Sequence, residues 1–96
     1  MNMLEHMMAL FDEAVEELMG AEKYAKCMEK TESADDKTMY RGLAKQELEH
    51  EMMLEKSGDK MLSGVTATDP MHPVWHHLKR HLHRWRNRIE VRMADN

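Results

Sequence analysis

A single cysteine, Cys27, excludes an intrachain disulfide framework and a cysteine-based zinc finger. Two Trp, two Tyr and one Phe are the only aromatic residues, and twelve Met supply much of the apolar volume. A chain of 96 residues buries only roughly 60 to 70% of its unfolded surface, so a monomer with so few aromatics is marginal and oligomerisation is expected. No run of about 18 apolar residues is present, so no membrane-spanning helix is expected. The opening stretch MNMLEHMMALFDEAVEEL is acidic and amphipathic, unlike a positively charged secretory leader. These absences lead to the expectation of one small, soluble, cytoplasmic domain.

The net charge of -4 conceals a division. Residues 1–71 hold 8 Lys and Arg against 16 Asp and Glu, a balance of -8, whereas residues 72–96 hold 6 against 2, a balance of +4. Five of the seven His fall in that basic stretch. The chain therefore divides into an acidic segment, residues 1–64, and a segment at 65–96 made of a linker and a basic, His-rich helix.

Apolar spacing predicts three helices and no strand, an all-α fold. From Met3 to about Glu32, Leu4, Met7, Met8, Phe11, Ala14, Val15, Leu18, Ala21, Ala25 and Met28 recur in steps of three and four, with only Gly20 as an interior helix-weakener. Such a helix is roughly 45 Å long and suits a bundle. The polar break TESADD follows, where Ser33 or Asp35 can cap a second helix. That helix is expected from about Asp36 through at least Lys56, and Gly58 or Gly64 can stop it. Pro70 and Pro73 fit the start of a third helix, about Pro73 to Ala94, with Trp75, Leu78, Leu82, Trp85, Ile89 and Met93 on one stripe.

Three polar residues interrupt these stripes. Steps of three and four from Glu17 reach Leu10, Ala14, Ala21, Tyr24 and Met28, and a second series runs Tyr40, Leu43, Glu47, His50, Leu54. A buried carboxylate is costly unless it is paired, neutralised or bound to metal. If the chain reverses near Ser33, Glu17 lies 16 residues before the turn, Glu47 14 after it and His50 17 after it. In an antiparallel hairpin all three then sit at one height, within about 5 Å. Glu-x-x-His on one helix and a Glu from its neighbour form half the donor set of a carboxylate-bridged di-metal site in a four-helix bundle. Two copies supply four carboxylates and two imidazoles, so a symmetric dimer with its metals at the shared axis is expected.

The segments EELMGAEKY (Glu16 to Tyr24) and AKQELEHEMML (Ala44 to Leu54) resemble ferritin-like proteins, most closely the short encapsulated-ferritin type that builds its bundle from two chains. The resemblance covers 39 of the 96 residues. It implies iron as the metal, bound by Glu17, Glu47 and His50, with manganese or zinc as substitutes on the same donors. It also implies ferroxidase activity, with oxygen or peroxide taking electrons from Fe(II), and a ferritin-like four-helix bundle formed by a homodimer or higher oligomer. Tyr24 matches an aromatic position seven residues after the first ligand and is expected either to serve the iron chemistry or to act as an interface aromatic. Lys23 stands where that family carries a second aromatic. An encapsulating shell protein is a further implied partner, although the basic third helix departs from the family's usual tail.

Plainer readings stand beside these. Glu13, Glu16, Glu49 and Glu51 read as a solvated or metal-entry face. Cys27 reads as a filler, and the Met residues as adaptable packing rather than a soft copper site. Arg80, Arg84, Arg88 and Arg92 form a ridge that suits docking onto acid more than phosphate contact. Pairs such as His77 and His81 have chelating spacing, yet a solvated face is the commoner meaning. The competing function is a helical assembly protein without turnover, whose basic helix engages an acidic partner.

Overall fold

The computed structural model describes residues 1–94; the last two residues of the 65–96 segment lie outside the described residues. It contains three helices, α1 (Met3–Lys30), α2 (Ala34–Leu62) and α3 (Met71–Ala94), and no strand among the described residues. None of the helices is long and apolar enough to cross a membrane.

Each boundary has a local cause. Asn2 caps α1 by accepting the Glu5 backbone N–H at 2.8 Å. The helix ends two residues before the expected Glu32, because Thr31 turns extended while its N–H still reaches the Cys27 carbonyl at 3.0 Å. Ser33, one of the two expected caps, accepts the Asp36 N–H at 3.2 Å. Only three residues therefore separate α1 from α2, and so short a connection makes the pair antiparallel.

Gly58 does not stop α2. It is buried under the Trp75 indole, so close that a Cβ at this position would stand 2.0 Å from the ring. The helix continues to Leu62, which is buried, and the Asp69 carboxylate then accepts the Met71 N–H at 2.8 Å to open α3 two residues earlier than expected.

The third helix runs antiparallel to α2 and closes one side of the hairpin. Its Trp75 meets the far end of α2, and at its other end Arg41 Nη1 donates to the Met93 carbonyl at 3.0 Å. Trp75, Leu82, Ile89 and Met93 are buried, with Leu78 and Trp85 packed beside the core as the stripe predicts. Full burial of such side chains is worth about 1.5 to 3 kcal/mol apiece. On the hairpin they meet Met7, Leu10, Ala14, Leu18, Ala21, Ala25 and Met28 of α1, and Ala44, Leu48 and Leu62 of α2. The result is an elongated body of 51 × 22 × 15 Å.

Charge follows the division seen in the sequence. Lys79 pairs with Asp59 at 2.8 Å, Trp85 Nε1 donates to Glu22 at 2.8 Å, and Arg92 pairs with Glu29. Each contact joins the basic helix to the acidic hairpin; of the expected docking ridge, Arg92 makes such a contact, whereas Arg80, Arg84 and Arg88 are exposed.

Glu51 departs from its expected place on a solvated face. Its side chain is fully buried between α2 and α3, where Arg86 Nη1 donates to Glu51 Oε1 at 2.8 Å and to Glu55 Oε2 at 2.6 Å. Burial, reinforced by Glu55 and opposed by Arg86, pushes the Glu51 carboxyl up to about 7. The two glutamates occupy the interior stripe Ala44, Leu48, Glu51, Glu55, Gly58, Leu62. Arg86 occupies the matching place between Leu82 and Ile89 on α3.

Candidate metal centre

Opposite α3, the hairpin carries a second stripe that no helix of this chain covers. Tyr24, Tyr40, Leu43, Glu47 and Leu54 are half-buried along it, and His50 is exposed. Glu17 on α1 and Glu47 and His50 on α2 converge here. Each offers a ligand atom, and these atoms all lie within 4.8 Å of one another. The contact across the helices is His50 Nδ1 to Glu17 Oε2, at 3.5 Å. The hairpin register expected from the turn at Ser33 therefore brings the three side chains together. The separate expectation that a second copy completes the set concerns a chain outside this monomer.

Three features make the convergence more than adjacency. First, Glu17 Oε2 is buried yet receives no hydrogen bond, and it stands 3.5 Å from His50 Nδ1. Second, the Glu17 carboxylate, aided by burial, holds the Glu47 carboxyl above the usual carboxylate range, while His50 pulls it back. Two carboxylates brought this close favour a cation between them. Third, Gly20 leaves the space that Glu47 occupies, since a Cβ there would stand 2.7 Å from Glu47 Oε2.

The surroundings suit access from outside. Glu13, Glu17, His50, Met53, Leu54 and Ser57 line an open cleft of about 270 Å³. Glu13, Glu16 and Glu49 are exposed, in keeping with the solvated or entry face expected of them. Tyr24 stacks on Tyr40 with ring centroids 6.4 Å apart. Tyr24 lies two helical turns from Glu17, and among the described residues no hydrogen bond joins its hydroxyl to Glu17 or Glu47.

Two carboxylates and one imidazole are borderline-to-hard donors, suited to iron, manganese or zinc and poorly suited to monovalent copper. The Glu17 oxygen that receives no hydrogen bond, with Glu47 drawn in over Gly20, fits a cation between the two carboxylates. Three donors leave several coordination positions of such an ion open.

The buried Glu51, Glu55 and Arg86 group is the polar cluster that motif reading missed. The signal was present: counting in steps of three and four from Leu48 reaches Glu51 and Glu55, and from Leu82 it reaches Arg86. Comparison with known proteins adds no assignment, because the chain matches no protein family, no curated protein and no solved structure.

Proposed function

We propose that the chain is half of a di-iron ferroxidase, in which two copies face each other across the uncovered stripe and pool Glu17, Glu47 and His50 into one site. The observation that carries this reading is the convergence of three donors from two helices around a buried carboxylate oxygen that receives no hydrogen bond. Pairing two copies doubles the donors to four carboxylates and two imidazoles, enough to neutralise and hold two divalent ions. It also covers Tyr24, Tyr40, Leu43 and Leu54, which one chain leaves half open.

In this reading Fe(II) is the substrate, and dioxygen or peroxide accepts the electrons. Two ferrous ions give up two electrons, which with two protons convert one dioxygen to hydrogen peroxide; peroxide as acceptor is instead reduced to water. His50 would be a terminal donor, and either Glu17 or Glu47 would bridge the two ions. Exposed Glu13, Glu16 and Glu49 draw cations toward the cleft. Tyr24, stacked on Tyr40, serves in this reading either to pass an electron or as an interface aromatic.

Binding of ferrous iron by the purified protein, with oxygen consumption, tests the proposal. Glu47→Ala should abolish both while leaving helicity largely intact. A wild-type dimer indifferent to iron would end the ferroxidase reading and favour an assembly protein. Against that alternative, Lys79, Arg86 and Arg92 of the basic helix are engaged with acids of the chain's own hairpin.

A further inference from the structure

The third helix carries a second pair of metal-ligating side chains, remote in composition from the carboxylate site. His77 and His81 are one helical turn apart and both are exposed. Their rings meet edge to face, with centroids 4.8 Å apart and planes at 87°. The two Nε2 atoms face each other at 3.4 Å.

A contact of that length is a poor hydrogen bond, and one ring must spend its Nε2 proton to make it. The same arrangement suits a shared cation far better. We propose that His77 and His81 form a two-imidazole chelate for a tetrahedral, borderline divalent ion of the zinc type.

The distance supports the geometry. Zinc lies about 2.0 to 2.1 Å from imidazole nitrogen, so two such nitrogens 3.4 Å apart subtend about 110° at the ion, the tetrahedral value. Neighbouring donors of an octahedral ion, at right angles, would stand only about 3 Å apart. Imidazole is in any case a weak donor for magnesium or calcium. Both side chains project from an interior stretch of a packed helix, so binding requires no folding step.

The neighbours decide what completes the coordination. Arg80 and Arg84, both exposed, follow His77 and His81 by three residues each and thus share their side of the helix. They disfavour an isolated dication and favour small anions or hydroxide at its two open positions. The chelate is therefore a site for a zinc ion with an anionic co-ligand, and it draws nothing from Glu17, Glu47 or His50.

Zinc titration of the full chain carrying Glu47→Gln tests this, because that background disables the carboxylate site. In it, His77→Ala or His81→Ala should each weaken zinc binding by about tenfold or more, since half of the protein's donors are gone. The exposed neighbour His76, changed to Ala, should leave binding unchanged. Cobalt as a spectroscopic probe should give the intense visible absorption of a tetrahedral ion, lost in His81→Ala while helicity is retained. Zinc binding untouched by either His change, an equal loss in His76→Ala, or a pale octahedral cobalt spectrum would each overturn the proposal.

Discussion

Gly20 on α1 and Glu47 on α2 are so closely apposed that one added carbon on the glycine would stand 2.7 Å from the carboxylate oxygen. The atom in the way is the end of a flexible side chain, so the fold can yield while the site cannot. Replacing Gly20 by Ala should therefore leave thermal stability unchanged or raise it by up to about 1 kcal/mol through better helix propensity. Iron titration should show affinity lower by about tenfold or more, because Glu47 is pushed from its neighbours. Unchanged affinity would show that this carboxylate does not bind the metal.

Gly58 answers differently, since what covers it is the Trp75 ring rather than a movable tip. Gly58→Ala should destabilise the protein by about 1 to 3 kcal/mol, the usual cost of overpacking. The shift in indole fluorescence and the denaturation midpoint measure it. A wild-type midpoint would mean that α3 does not seat as described.

Arg86→Met should be costly because it strands the buried Glu51, while Glu55 keeps only its contact with His83. Removing one partner of a buried ion pair typically costs about 3 to 5 kcal/mol. The loss should shrink in mild acid, where the carboxyls can protonate, and chemical denaturation at pH 5 and pH 8 compares the two. An equal loss at both values would assign the effect to packing alone.

Glu51 also sets a sign for the wild type. Its carboxyl titrates at about 7 in the folded chain against 4.5 ordinarily, so the folded state holds the extra proton between those values. Its contribution is thus fully present below pH 4.5 and is lost as pH rises through 7. Asp59 acts in the opposite sense: burial resists its ionisation, but Lys79 and Trp75 hold it below the ordinary 3.8. Its support is therefore present above 3.8 and fades as pH falls below that value. Glu51→Gln should flatten the decline toward pH 7 while leaving the acid limb intact.

Metal loading at the carboxylate site should release protons. Glu17 raises the proton affinity of Glu47, and a cation between them removes the reason for holding that proton. Calorimetric titration with Fe(II) under anaerobic conditions, in buffers of differing ionisation enthalpy, should show release that grows as pH is lowered toward the carboxylate range. Release that is absent at every pH would place the ion elsewhere.

Three helices, their antiparallel turn at Ser33 and the apolar face of α3 were all legible from spacing alone, because a period of three and four is set by helix geometry. The meeting of Glu17, Glu47 and His50 was legible for the same reason, through equal distances from one turn. Which of two stripes on α2 faces inward was not. Tyr40, Leu43, Glu47, His50, Leu54 and Ala44, Leu48, Glu51, Glu55, Leu62 both repeat correctly, and only the position of α3 distinguishes them. The end of α2 was similarly undetermined, since Gly58 reads as a stop until Trp75 is seen to require it.

With α3 seated along one flank, the hairpin keeps the long side that carries Tyr24, Tyr40, Leu43 and Leu54 uncovered among the described residues. In the proposed dimer, a two-fold contact through that side would use it up in both partners at once, so association would close at a pair instead of propagating as a fibre. The basic helices of that proposed pair would lie on its outer flanks, where the exposed Arg80, Arg84 and Arg88 would give it two positive rims around an acidic middle.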